Sequence, residues 1–302
     1  MASKINTRSQ ILAHTMAIIV IVIWASTFVS AKILLNNFSA LEIMLIRILI
    51  AYIALWLIYP HRPVFFGFRQ ELLFIAAGIC GVTLYFLMQN IAIDYSTSSN
   101  VSIIISLAPI ITALFAHLFL DNEKLSIRFF IGFLVAVSGV LLVSINGKFN
   151  LKLNPIGDML AFLAACSWAM YCVIMRKIMA VKQNLILCTR KVFFYGLVTM
   201  SPVFFVTEFN LDPGRFTNPV SIFNLLFLGL GASAFGFIIW NRTVETLGAV
   251  KTSVYLYLQP VVTVSLSAIV LGDKIMPLTV AGIVLTLVGL ILSENKNNTV
   301  LK

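Results

Sequence analysis

Two stretches of this chain carry the groups needed to hold a small molecule. Tyr85 and Gln89 stand four residues apart, so on a helix they share one face, and Asn90 lies beside them. Tyr255 and Gln259 repeat that spacing. An aromatic plane next to an amide, which both donates and accepts hydrogen bonds, can seat the apolar and polar parts of one ligand. Amides sunk in apolar sequence favour a cavity, because each polar group left without a partner costs roughly 1–3 kcal/mol. Trp24 and Trp168 fall in the middle of apolar stretches, away from the ends where aromatic residues mark a headgroup layer. Tyr171 follows Trp168 by about one helical turn and can share its face. Trp240 has the position of an ordinary interfacial anchor.

Arg47 lies well inside an apolar stretch, where a guanidinium is costly unless paired or hydrated. It reads either as a cation facing a ligand or gate, or as a structural tie. Arg190 occupies the corresponding place in the second half, and with Lys191 beside it the structural reading is favoured. Glu42 is a candidate counter-charge for Arg47, although a spacing of five does not put the two on one helix face. Pro109 and Pro260 each remove a backbone N–H from an apolar stretch, and paired helix breaks are places where carbonyls can be exposed or a helix can flex. Ser99, Ser102 and Ser106, with Pro109, make one small-residue stripe, which suits helix packing better than binding.

The carboxylates and His14, His61 and His117 lie at or near the ends of the apolar stretches, so no mid-membrane proton carrier is expected. There is no Walker motif and no nucleophile–base–acid set, so neither ATP drive nor enzyme chemistry is expected. Cys80, Cys166, Cys172 and Cys188 have neither metal-site nor disulfide-framework spacing and read as small apolar packers. No metal and no cofactor is expected.

The elements that must position these residues are ten apolar spans, near 12–34, 40–59, 71–93, 97–119, 126–145, 155–175, 187–206, 219–240, 250–271 and 276–293. Each has about the 20 residues that cross a bilayer as a helix. The chain is 60% hydrophobic and 11% charged, too little polar surface for a soluble protein of this length. The net charge of +10 forms no stripe that would fit a nucleic acid. With the N-terminus inside, most Lys and Arg, among them Arg62, Arg69, Arg128, Arg176, Lys177, Lys191 and Arg242, fall on the inner side. This positive-inside bias predicts both termini in the cytoplasm, a multi-pass inner-membrane protein, and a first span kept as a signal anchor.

The second half repeats the first. Trp24 and Lys32 recur as Trp168 and Arg176, Arg47 as Arg190, Gly78, Asn90 and Pro109 as Gly229, Asn241 and Pro260, and Glu123, Gly132 and Gly139 as Asp273, Gly282 and Gly289. The offset drifts slowly, as in a duplicated unit with small insertions. The boundary predicts one repeat over 1–149 and a second over 150–302. A unit of five spans is odd, so the second copy enters the membrane from the opposite side, an inverted repeat of the kind found in secondary transporters.

The run WASTFVSAKILL, an arginine in the next span, IAIDYSTSSNVSIIISLAPIITALFAHLFLDNEKLS and IGFLVAVSGVLLV make up the first half. WAMYCVIMRK and TLGAVKTSVYLYLQPVVTVSLSAIVLGDKIMPLTVAGIVLTLVGLIL answer them in the second. This pattern resembles the EamA family of the drug/metabolite transporter superfamily over nearly the whole chain. The acidic Glu123 and Asp273 after the fourth and ninth spans, each followed by glycines, carry much of the likeness. The resemblance implies an all-α integral membrane protein of ten helices in two inverted five-helix repeats. It implies a central cavity lined by helices 1–4 and 6–9, with helices 5 and 10 peripheral. It also implies export of amino acids or related small metabolites. The partners expected are a small-molecule substrate and membrane lipids, no nucleic acid, and a second copy through the peripheral helices if the protein dimerises.

The site residues that follow are Trp24, Tyr85, Gln89, Asn90, Trp168, Tyr171, Tyr255 and Gln259 for substrate. Arg47, Arg190, Pro109, Pro260, Glu123 and Asp273 take gating or structural roles. Amino-acid efflux by alternating access is the leading expectation. Uptake of a nucleoside-like or cationic metabolite, and a non-transporting receptor or lipid-binding subunit, stay open. Glu123 and Asp273 precede helices whose N-termini they can cap. Glu123→Gln is therefore expected to lower folding yield more than substrate affinity, measured as expression against apparent Kd; lost affinity in a normally folded variant would place Glu123 in binding instead.

Overall fold

The computed structural model describes residues 7–62, 64–96, 101, 104–120, 126–145, 154–180, 183–203, 212–271 and 276–293. Their regular structure is entirely helical, with no strand among the described residues. The helices are α1 (Thr7–Leu34), α2 (Ala40–Ile58), α3 (Phe68–Tyr95), α4 (Ala108–Phe119), α5 (Ile127–Ile145), α6 (Pro155–Met179), α7 (Leu185–Met200) and α8 (Pro219–Leu247). Then α9 runs from Ala249–Ser253 through a 3-10 turn at Val254–Tyr257 to Leu258–Leu271, and α10 is Pro277–Ser293. Five stretches are long and apolar enough to cross a membrane: Arg8–Ala31 of α1, and α2, α3, α6 and α8. The outside of the bundle is greasy, with Leu57 65%, Phe223 69% and Ile269 80% exposed, a surface that suits lipid and not water.

Helix starts are set by local chemistry. The Ser39 hydroxyl accepts from Glu42 N–H, and the Glu42 carboxylate accepts from Ser39 N–H, a capping box that opens α2. Asn154, Asn184 and Asn218 cap α6, α7 and α8, and Pro155 and Pro219 take first positions where no N–H is needed. Gly248, at φ 94, turns the chain between α8 and α9 through backbone space that disfavours any side chain.

Two long helices are irregular at matching places. A π-helical segment occupies Ile79–Leu84 inside α3, and another occupies Phe227–Phe235 inside α8. Each follows or contains one of the repeat-related glycines, Gly78 and Gly229. These glycines allow close approach: Gly78 lies on Val192 and Gly196 of α7, and Gly229 lies on Ile50 and the Arg47 carbonyl of α2.

The packing pairs answer each other between halves. α1 packs on α8 and α9, and α6 packs on α3 and α4; α2 packs on α8, and α7 on α3. The most extensive pairing is α5 with α10. There Gly132 meets Gly289 and Ser293, while Gly139 meets Gly282 and Thr286, so rising numbers on one helix meet falling numbers on the other and the two run antiparallel. Lipid supplies no hydrophobic drive between helices, so small residues that let backbones touch hold such a seam.

Three expectations change. Pro109 and Pro260 do not interrupt a running helix. The chain turns at Ser106–Leu107 and α4 then starts with Pro109 in its first turn. In α9 the 3-10 turn comes first, and Pro260 lies in the first turn of Leu258–Leu271. Both breaks therefore precede the proline, which starts the new helix because it needs no N–H partner there. Glu42 does not serve Arg47: it meets Arg215 through two hydrogen bonds of 3.0 and 2.8 Å. Trp240 is fully buried, not interfacial. Glu123, Asp273, Ser99 and Ser102 lie outside the described residues.

A side chain on Gly139 would run into the backbone of α10. Gly139→Val should destabilise the detergent-solubilised protein by about 1–3 kcal/mol, the usual cost of overpacking, read as a lower thermal midpoint. An unchanged melt would show that the seam yields.

Candidate functional site

A cavity of about 600 Å³ enters the bundle. Its mouth is formed by Leu35 at the end of α1, Ala40 at the start of α2 and Asp94 near the end of α3. Its floor and walls come from Trp24, Arg47, Tyr85, Gln89, Asn90, Trp168, Phe237 and Gln259. Six of the eight residues expected to bind substrate therefore line one space. The capping box and the Arg215 pair fix the start of α2, so the Met44 and Arg47 turn that follows has a set direction into the cavity.

The floor is aromatic. The rings of Trp24 and Trp168 meet edge-on at 5.3 Å, Tyr85 lies 4.9 Å from Trp168, and Trp240 lies 5.1 Å from Trp24. Trp24 is anchored by its Nε1–H, which donates to the Ala232 carbonyl at 2.9 Å. Ala232 lies in the α8 π-segment, where hydrogen bonds skip a residue and a carbonyl is left over. The α3 π-segment is served likewise: Ser167 of α6 donates to the Cys80 carbonyl at 2.9 Å. Trp168 is 4% exposed, and its Nε1–H has no acceptor among the described residues. The site thus retains a buried donor beside a ligand-sized space.

Arg47 supplies the charge. Its Nε donates to Ser233 Oγ at 2.9 Å, and its guanidinium lies 4.7 Å from the centre of the Phe86 ring. Among the described residues no carboxylate pairs with it. One N–H and one aromatic face leave most of its five donors unused. Asn90 adds an amide whose Nδ2 contacts Met44 Sδ at 3.5 Å, and Asp94 adds an exposed carboxylate at the mouth.

Tyr171 and Tyr255 fall outside the lining. The Tyr171 hydroxyl donates to Asn241 Oδ1 at 2.7 Å, and Asn241 donates to Thr189 Oγ1 at 3.1 Å, tying α6, α8 and α7 together. Tyr255 shares a 2.6 Å hydrogen bond with His14 Nδ1, joining α9 to α1. Arg176 donates to the carbonyls of Val244 and Glu245. These ties lie at the end opposite the mouth and seal it. Arg190 is also remote from the cavity, donating to the Tyr59 and His61 carbonyls at 2.6 Å each.

Thr27, Met44, Phe86, Asp94 and Phe237 line the cavity without having been singled out. Thr27 was legible from the repeat, because it follows Trp24 as Tyr171 follows Trp168. Asp94 was legible as the residue one turn beyond Asn90. Nothing in the local sequence marked Phe237.

The EamA-like transporter family model matches the chain twice, over residues 11–145 and 155–294. An uncharacterized transporter of Archaeoglobus fulgidus is 26% identical over 94% of this chain and 98% of its own length. A protein of Streptantibioticus cattleyicolor named a probable terminal-alkyne amino-acid exporter is 26% identical over 92% of both chains. A protein of Escherichia coli named a probable amino-acid metabolite efflux pump is 25% identical over 91% of this chain and 92% of its own. With its apolar multi-helix bundle, its aromatic-floored cavity and both halves matched, the chain is a membrane transporter and belongs to the EamA-like transporter family.

Proposed function

We propose that the protein is a secondary carrier that exports amino acids or closely related small metabolites, working by alternating access between two inverted five-helix repeats. The observation that carries the substrate class is the pairing, in one cavity, of Arg47, which meets no carboxylate among the described residues, with the Trp24–Trp168 floor. A guanidinium left available at the wall suits a carboxylate, to which it can offer two parallel donors. The aromatic floor suits an apolar side chain. Gln89, Asn90 and Gln259 then take the remaining polar groups, an ammonium among them. A cationic substrate fits this wall less well, because it would meet Arg47 as a like charge. Two relatives bear names that refer to amino-acid export, and the proposal extends that substrate class to this chain.

Support for inversion comes from the antiparallel α5–α10 seam and from the exchanged packing pairs of the two halves. Positive-inside counting supports the reading that both termini lie in the cytoplasm of an inner membrane. In that orientation the mouth at Leu35, Ala40 and Asp94 faces outward, and the seal at His14, Tyr171 and Asn241 faces inward. The described arrangement is then the state from which an exported molecule leaves.

Counterflow of radiolabelled amino acids in proteoliposomes tests the reading. The wild-type protein should exchange amino acids and reject the corresponding amino-acid amides. Arg47→Gln should lose about 10–100-fold in affinity for the acids, the worth of a charged hydrogen bond of ~1.5–3 kcal/mol, and should cease to discriminate against the amides. Equal handling of acids and amides by the wild type would overturn the assignment of Arg47.

Trp168→Ala should weaken binding of large apolar substrates by about tenfold, through loss of ~1–2 kcal/mol of ring contact. It should also lower the thermal midpoint, because the ring is buried among its aromatic neighbours and its removal leaves a cavity. Small polar substrates, which do not use the ring, should keep their affinity in the folded variant. Gln89→Leu should impair recognition of the polar end more than the apolar end, seen as a narrowed preference between substrates that differ only in polar groups. A uniform loss across all substrates would mean that Gln89 supports the fold and not the ligand.

A further inference from the structure

A second cleft, of about 230 Å³, shares no lining residue with the first cavity and lies where the end of α2, the connection to α3 and the middle of α7 meet. Its floor is charged and its rim is aromatic. On the floor, Lys191 forms an ion pair with Glu71, and the Tyr195 hydroxyl donates to the other Glu71 oxygen at 2.7 Å. Arg190, 3% exposed, lies beside them. Two cations therefore face one carboxylate. Arg190 uses two of its five N–H donors on the Tyr59 and His61 carbonyls, and among the described residues no carboxylate meets it. A buried cation with only dipoles around it is costly, and an anion seated beside it would offset that cost.

The rim identifies the anion's carrier. Trp56, Phe65 and Phe194 line the same cleft and are 47%, 70% and 44% exposed. They open the cleft sideways onto the apolar outer surface of the bundle, where acyl chains lie. A soluble anion would meet these rings at a loss, whereas a phospholipid would bury its chains against them. Arg62 and Arg69, both exposed, flank the same connection and add attraction for an anionic headgroup.

We propose that this cleft binds the headgroup of an anionic phospholipid, with the phosphate at Arg190 and Lys191 and the upper acyl chains on Trp56, Phe65 and Phe194. Its leaflet, the cytoplasmic one, rests on the orientation proposed above; the binding itself does not. The site would tie the α2–α3 connection to α7 through a lipid, so that carrier stability depends on membrane charge.

Binding to the full-length, detergent-solubilised protein can be read by native mass spectrometry together with thermal stability. The probes are dioctanoyl phosphatidylglycerol, dioctanoyl phosphatidylcholine and glycerol phosphate. Phosphatidylglycerol should bind at least about tenfold more tightly than phosphatidylcholine, and glycerol phosphate should give no shift. Arg190→Gln should abolish the preference for the anionic lipid. Should that variant fail to fold for want of its carbonyl ties, a Phe65→Ala, Phe194→Ala double variant, altered only at exposed rings, carries the test and should weaken phosphatidylglycerol binding several-fold. Equal binding of the two lipids, or wild-type affinity in the double variant, overturns the proposal. Binding of glycerol phosphate as tight as that of the lipid also overturns it, because the site would then serve a soluble anion. Trp168→Ala should leave the lipid response intact, so failure of the amino-acid reading would not be mistaken for failure of this one.

Discussion

The hydrogen bond from Trp24 to the Ala232 carbonyl shows the constraint under which the rest of the bundle is built. In hydrocarbon a backbone carbonyl cannot turn to water, so a helix can depart from regular bonding only where another part of the protein takes up the slack. The π-segments of α3 and α8 are such departures, and each is covered from the opposite half: α8 by Trp24 of α1, α3 by Ser167 of α6. The irregularity gains local freedom to shape a cavity wall. The cost is met by a side chain that is thereby fixed in place. Trp24 is part of the cavity floor because it is first a hydrogen-bond donor to α8.

Charge follows the same logic. Glu42 and Glu71 are both buried, and each is supported several times over. Glu42 receives the Ser39 N–H and both ends of the Arg215 guanidinium; Glu71 receives Lys191, Tyr195 and the Phe66 N–H. Breaking a buried pair costs about 3–5 kcal/mol because it strands the partner, so these carboxylates are committed to structure. Arg47 stands apart. It has one serine and one ring, so most of its donors are left for whatever enters the cavity it lines. The difference between a committed charge and an available one separates frame from site here better than depth in the bilayer does.

Much of this was legible in the residues. The drifting repeat and the i, i+4 pairing suffice to bring Trp24, Trp168, Tyr85, Gln89 and Gln259 into one space. Tyr255 was placed with Gln259 because four residues make one turn of an α-helix. The 3-10 turn at Val254–Tyr257 winds tighter, so the two side chains no longer share a face, and Tyr255 goes to His14 instead. Tyr171 leaves the cavity for a different reason: it does follow Trp168 by one turn, but Asn241 holds it in a tie with Thr189 that sequence spacing cannot reveal. The π-segments were also invisible, since neither Gly78 nor Gly229 distinguishes a π-bulge from a close helix crossing.

The two ends of the cavity can be compared residue by residue because the halves correspond. Thr27 and Asn90 occupy in α1 and α3 the places that Tyr171 and Asn241 occupy in α6 and α8. At the sealed end that pair is bonded, hydroxyl to amide, and extended to Thr189. At the open end the pair is apart: Thr27 donates to its own Trp24 carbonyl at 2.6 Å, and Asn90 reaches only a sulfur. The side chains at the open end are also smaller and weaker partners, threonine against tyrosine. Equivalent backbone positions thus hold a closed contact on one side and line a cavity on the other. For a carrier that alternates, the stronger tie would make the sealed end the harder one to open. The resting protein would then favour the arrangement that is open at Leu35, Ala40 and Asp94, and a ligand arriving from the sealed side would have to compete with the Tyr171–Asn241 bond before it could reach the tryptophan floor.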